Sequence, residues 1–273
     1  MRNPPETLQN PRDILIGLAR TNEFLEARRR GAPLPSAMAA AAMRCVEVKR
    51  QAHHGRLDIE GNALDLISTI PDFIDGRYEL DRINERERRS RVKVPRSVKI
   101  PHLEKVIAFD HALRETIDNN PRQDPKALHG FIARAASGVY RSDELDFNYL
   151  NQATSECITG MHHEIDTEQA LWLIDGVEDI ENADTAAELE GIDLSFTYHR
   201  KPFSIDVKAS AVREQEAWKQ WEPGDALPFW TGINSSELGN RFRPTDQQAQ
   251  AIAARLEGLL QQNLRFDGNY AIV

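Results

Sequence analysis

The stretch Gly191-Ile192-Asp193-Leu194-Ser195-Phe196-Thr197-Tyr198-His199-Arg200-Lys201-Pro202-Phe203-Ser204-Ile205-Asp206-Val207-Lys208-Ala209-Ser210 decides how this chain is read. Ile192, Leu194, Phe196 and Tyr198 alternate with Asp193, Ser195 and Thr197. A second alternation sets Phe203, Ile205, Val207 and Ala209 against Ser204, Asp206, Lys208 and Ser210. A period of two marks a strand with one apolar face. The polar break His199-Arg200-Lys201-Pro202 joins the two runs, so a β-hairpin is expected. The expected register sets Asp193 opposite Lys208 and Ser195 opposite Asp206. Asp193 and Asp206 then become diagonal neighbours on the polar face, with Cα atoms about 7 to 8 Å apart. A slip of one residue would send the partner side chains to the other face.

Working outward, a helical pattern precedes the hairpin from about Phe147 to Ile174, with a break expected near Asp166-Thr167, followed by an acidic loop over Asp179 to Glu190. After the hairpin comes a helical stretch near Ala211 to Trp221. Thr245 and Gln248 then have capping-box spacing for a helix from about Asp246 to Gln262, and the tail from Leu264 to Val273 is expected to add a short strand. The first half reads as helical: Ile14, Leu15 and Leu18, the alanine-rich Ala37 to Val48, and the stretches Leu103 to Ile117 and Ala127 to Val139 carry helix spacing. Pro71, Pro95, Pro101, Pro121 and Pro125 punctuate them. The expected organisation is mixed α/β: an α-helical region over residues 1–140, then a domain over 141–273 with a central mixed sheet flanked by helices.

Composition permits a sizeable core, since 40% of the 273 residues are hydrophobic. No apolar run is long enough to span a bilayer, and the N-terminus lacks an apolar secretory stretch, so a cytoplasmic protein with no membrane partner is expected. Cys45 and Cys157 have no paired-cysteine spacing, which argues against a disulfide framework or a thiolate zinc site. The net charge of −9 conceals an asymmetry: residues 1–140 hold 24 Lys+Arg against 19 Asp+Glu, and residues 141–273 hold 10 against 24. Such a division suits a basic surface for a polyanion beside an acidic module for cations, and equally suits two solvated surfaces. The basic tract is densest at Arg86, Arg88, Arg89, Arg91 and Lys93, the candidate nucleic-acid contacts.

The polar face of the hairpin suggests a chemistry. Cleaving a phosphodiester requires charge neutralisation on phosphate, a hydroxide-like nucleophile near neutral pH and stabilisation of the leaving oxygen. Two carboxylates, Asp193 and Asp206, can hold Mg²⁺ or Mn²⁺ through oxygen, helped by the backbone carbonyl of Val207. Lys208 lies two residues beyond Asp206 and projects from the same side of the strand, where its ammonium can orient water and offset developing charge.

Gly191-Ile192-Asp193 followed by Phe203-Ser204-Ile205-Asp206-Val207-Lys208-Ala209-Ser210 resembles the core motif of the PD-(D/E)XK, or restriction-endonuclease-like, nucleases. In that family the first Asp stands on one central strand and the (D/E)XK triplet on the next. Ile192 replaces the Pro of the family's name, and the resemblance covers roughly Phe147 to Val212. It implies a restriction-endonuclease-like core and a metal-dependent nuclease acting on DNA, with a homodimer allowed. It also implies a Glu from the helix before the hairpin. Glu164 is chosen over Glu156 and Glu168, and Gln215 matches an auxiliary polar position. The alternative is a non-catalytic nucleic-acid- or protein-binding module with a degenerate nuclease-like domain.

Other signals are weaker. Glu47-Val48-Lys49 repeats the triplet inside a helical segment, where residues two apart diverge. His53-His54 and His162-His163 are adjacent pairs without further zinc-ligand spacing, expected at the surface or core edge. Trp218, Trp221 and Trp230 could stack on unpaired bases, although packing under a loop is the commoner fate of tryptophan. No Gly-rich phosphate loop, G-x-S-x-G elbow or dinucleotide fingerprint occurs.

Overall fold

The structure is a computed structural model that describes residues 8, 10–120, 123–141, 143–234, 237–238 and 241–267. The described chain is mixed α/β, with ten helices and a four-stranded mixed sheet. It forms two compact units, Met1–Ile158 and Thr159–Val273. The division falls inside one continuous helix, whereas the sequence placed the change at residue 140.

The first unit is helical. It contains α1 (Pro11–Leu18), α2 (Asn22–Arg29), α3 (Leu34–Ala52), α4 (Ile59–Ser90), α5 (Arg96–Asn119), α6 (Pro125–Val139) and the beginning of α7 (Phe147–Leu171). Two of the expected punctuating prolines do not punctuate: Pro71 lies inside α4 and Pro101 inside α5. Each removes one backbone donor, but buried Ile67, Ile70, Phe73 and Ile74 straddle Pro71, so the packing on either side of it outweighs the lost bond. Phe73 stacks on Phe109 at 4.1 Å, joining α4 to α5. Pro95 and Pro125 do mark helix starts, while Pro121 lies outside the described residues. Arg50 on α3 ties the bundle together, reaching Asp65 on α4 at 3.0 Å and Glu115 on α5 at 2.5 Å.

In the second unit, the remainder of α7 leads to β1 (Val177–Asn182), α8 (Thr185–Leu189), β2 (Leu194–Tyr198), β3 (Lys201–Val207), α9 (Ala211–Trp218), β4 (Leu227–Phe229) and α10 (Asp246–Asp267). Sheet order follows chain order: β1, β2 and β3 are antiparallel, and β4 adds parallel to β3. The parallel step needs a crossover, which α9 supplies. The expected acidic loop is instead a strand and a short helix. β1 escapes a period-two reading because its pairing with β2 shifts between Glu178 and Glu181, where Asp179 takes a positive φ of 53°. α7 shows no break at Asp166-Thr167. Both residues are buried, and the Thr167 hydroxyl donates to the His163 carbonyl at 2.7 Å, within the helix.

The core of this unit gathers Leu194, Phe196, Tyr198 and Ile205 from the hairpin, Leu227 and Phe229 from β4, Leu171 and Ile174 near the end of α7, and Ile252, Leu256 and Leu260 from α10. Thr245 and Gln248 form the expected reciprocal cap at 2.9 and 3.3 Å. α10 runs as helix to Asp267, so the first part of the expected tail strand is helical and its remainder lies outside the described residues.

Candidate metal and phosphodiester site

The hairpin closes through two residues, His199 and Arg200, with φ of 48° and 64°, a turn that matches the twist of antiparallel strands. Tyr198 therefore pairs with Lys201, Phe196 with Phe203 and Leu194 with Ile205. This register is two residues tighter than expected, because Lys201 and Pro202 belong to β3 and not to the loop. A two-residue shift preserves the faces. Leu194, Phe196, Tyr198 and Ile205 are buried, and Ser195 lies opposite Ser204 with hydroxyls 3.4 Å apart.

The shift corrects the site geometry. Asp193 precedes β2, and its N–H donates to the Ile205 carbonyl at 2.9 Å while its carboxylate accepts from the Val207 N–H at 2.6 Å. These two bonds bracket Asp206. Asp193 is thus a direct neighbour of Asp206, and neither Asp193 opposite Lys208 nor Ser195 opposite Asp206 holds. Lys208, the residue after β3, instead pairs with Asp206, both side chains being 23% exposed, and its backbone N–H donates to the Phe229 carbonyl at 2.7 Å. Val207, whose carbonyl was expected among the metal ligands, presents its N–H to Asp193.

Burial drives the Asp193 carboxyl well above the ordinary carboxylate range; the charges of Glu164 and then Asp206 push the same way, while the Val207 N–H and Lys208 pull it down. Burial also raises Asp206, opposed by its bond to Lys208. Glu164, half-buried on α7, therefore belongs to the electrostatic surroundings of Asp193. Glu168 is half-buried one turn further along. Glu156 lies in the helical unit, bound to Arg77 at 2.5 Å and to Gln152 at 3.1 Å. Gln215 is exposed on α9, and its neighbour Glu214 is the engaged side chain, joined to Arg255 at 2.7 Å.

Hard divalent cations take oxygen donors, and a carboxyl pushed up by neighbouring carboxylates, as Asp193 is by Glu164 and Asp206, is a donor whose charge such an ion would stabilise. Glu164, Asp193 and Asp206 fit that requirement chemically. Among the described residues, however, no three His, Cys, Asp or Glu side chains already stand in metal-holding geometry. The Lys208 ammonium supplies positive charge to Asp206 in the present arrangement.

The basic tract occupies the end of α4 and the segment after it, with Arg86, Arg88, Arg89, Arg91 and Lys93 all exposed. Arg88 and Arg89 share Glu85, each at 2.7 Å. Glu47 and Lys49 are tied to Arg44 and to Asp58 and Glu60, and His53 and His54 are exposed at the end of α3. His162 and His163, by contrast, are 3% and 0% exposed. His163 Nδ1 lies 2.8 Å from the Thr231 hydroxyl, and His162 packs on Phe242. Helix spacing carried the signal for His162, which falls one turn beyond Ile158 on the buried face that continues to Asp166.

Comparison with protein-family models, curated proteins and solved structures finds no match to this chain. Among the described residues, no helix is long and apolar enough to cross a membrane.

Proposed function

We propose that the unit Thr159–Val273 is a divalent-metal-dependent phosphodiesterase of the PD-(D/E)XK kind with a restriction-endonuclease-like core, and that its substrate is DNA. One observation carries this reading: the backbone of β3 clamps the Asp193 carboxylate beside Asp206, with Lys208 on the same strand end and Glu164 within electrostatic reach. Asp193, Asp206 and Glu164 would hold Mg²⁺ or Mn²⁺, which when bound would supply Lewis acidity for generating the nucleophile and neutralising the phosphate. The Lys208 ammonium, held at Asp206 in this structure, would orient water and offset charge developing on the phosphate. The preference for DNA follows the habit of the family that the motif resembles. The exposed tract Arg86 to Lys93 provides phosphate contacts.

The Lys208–Asp206 pair favours one competing reading, a binding module in which lysine permanently replaces the cation. Incubating the protein with DNA and Mn²⁺ separates the two. Cleavage by the wild type, lost in Asp206→Ala and reduced about 10²- to 10³-fold in Lys208→Ala, supports the enzyme. Tight DNA binding without cleavage in Mg²⁺ or Mn²⁺ defeats it.

A further inference from the structure

β4 covers β3 only along Ile205–Val207, so the edge of β3 from Lys201 to Ser204 continues past the end of β4. Against that edge lies an open cavity of about 810 Å³, lined by Phe203, Ser204, Trp218, Trp221, Leu259 and Gln262 among others. The volume is within the range of small-ligand pockets. Its aromatic wall is built, not incidental. The Trp218 and Trp221 rings sit 5.4 Å apart at 54°, and the Trp221 indole N–H donates to the Asp225 carbonyl at 3.3 Å, which holds that ring in place. Both indoles are only partly buried against the core. Trp230 differs: its indole N–H donates to the Ile233 carbonyl and Arg255 lies over its ring, so it serves the fold.

The cavity adjoins β3, the strand that carries Asp206 of the proposed site. Ser204 lines it, and Asp206 follows two residues later, about 7 Å along the strand. That is close to the reach of one nucleotide in an unstacked strand. Residues 141–273 carry 10 Lys+Arg against 24 Asp+Glu, so attraction for phosphate is poor around the carboxylates. A neutral base stacking on indole escapes that penalty, and stacking on aromatic rings tolerates any sequence because every base has a π-face.

From these observations we infer that the Trp218–Trp221 cavity receives an unpaired base of a DNA strand whose neighbouring phosphate lies at Asp193 and Asp206. The inference rests on the nuclease reading and adds a substrate class to it: single-stranded or locally unpaired DNA.

The test uses the full chain in EDTA, where metal-dependent cleavage cannot occur. A short oligothymidylate is compared with an abasic strand of equal length and with a duplex, by tryptophan fluorescence and by anisotropy. Oligothymidylate should quench the indole emission and bind about tenfold more tightly than the abasic strand. Trp218→Leu and Trp221→Leu should each abolish that advantage while phosphate-driven binding persists. The abasic comparison needs no variant, so it remains decisive if either substitution unfolds the protein. Equal binding of thymidylate and abasic strands without quenching overturns the inference, and the nuclease reading stands if the wild type still cuts with Mn²⁺. Quenching by thymidylate without cleavage in any divalent metal overturns the nuclease reading and leaves a single-strand binder. Loss of both overturns both.

Discussion

Asp193 is the residue on which structure and chemistry pull in opposite directions. A half-buried carboxyl pushed up by burial and by the charges of Glu164 and Asp206 is costly to ionise, so removing its charge should relieve the fold even as it removes a metal ligand. Asp193→Asn is expected to raise the melting temperature in EDTA and to abolish Mn²⁺-dependent cleavage; a variant that melts lower and still cuts contradicts the assignment. Asp166 offers a second case, read by stability alone. It is 1% exposed, and burial pushes its carboxyl up to about 7, whereas burial lowers His162 and His163 to about 4. The folded state therefore keeps the Asp166 proton up to about pH 7, while the unfolded chain releases it near pH 4, so this group's contribution to stability falls as pH rises between those values. The histidines act oppositely, taking up protons in the unfolded chain below about pH 6.5 and lowering stability there. Urea denaturation of wild type and Asp166→Asn should show the variant gaining about 3 kcal/mol relative to wild type between pH 5 and pH 8. Parallel curves would show that the carboxyl is already ionised in the fold.

At the scale of elements, β2 and β3 were legible because alternation is strict in Leu194-Ser195-Phe196-Thr197-Tyr198 and in Phe203-Ser204-Ile205-Asp206-Val207. The pairing register was not, because it depends on how many of His199, Arg200, Lys201 and Pro202 form the turn, and a Pro on an outer stretch of strand looks like loop. β1 was invisible for a different reason: a six-residue strand with four acidic or amide side chains and a bulge leaves only Val177 and Ile180 to signal the inner face. α4 was hidden by Pro71, since tertiary packing overrode a local breaker. That packing can be tested at Gly76, where a methyl group would stand 2.7 Å from the His102 carbonyl oxygen and 3.0 Å from Lys105 Cβ on α5. Gly76→Ala should destabilise the helical unit by about 1 to 3 kcal/mol in chemical denaturation, despite alanine's better helix propensity. A stabilised variant would mean that α5 does not approach so closely. The turn gives the converse case. His199 and Arg200 occupy left-handed conformations that Asn and Gly adopt more easily, so His199→Asn with Arg200→Gly should leave the register intact and raise stability modestly, by about 0.5 to 1 kcal/mol.

For the whole molecule, the charge division between the halves persists in the fold as a helical unit with an exposed basic tract and an acidic unit that holds the candidate carboxylates. Replacing Arg86, Arg88, Arg89, Arg91 and Lys93 with Gln should weaken DNA binding uniformly across sequences and flatten its salt dependence, by about 0.7 in the logarithmic slope on a single strand, or about 0.9 on a duplex, for each phosphate no longer neutralised. An unchanged slope would remove that tract from the interface. Above all, Glu164, Asp193 and Asp206 should share one divalent cation while Lys208 stands beside it. A crystal structure of the protein soaked with Mn²⁺, read by anomalous scattering, tests this directly. The expected peak lies between the Asp193 and Asp206 carboxylates, within coordination distance of an oxygen of each, with the Lys208 ammonium released from Asp206. Saturating Mn²⁺ that leaves no peak there, with Lys208 still bound to Asp206, would contradict a shared cation site.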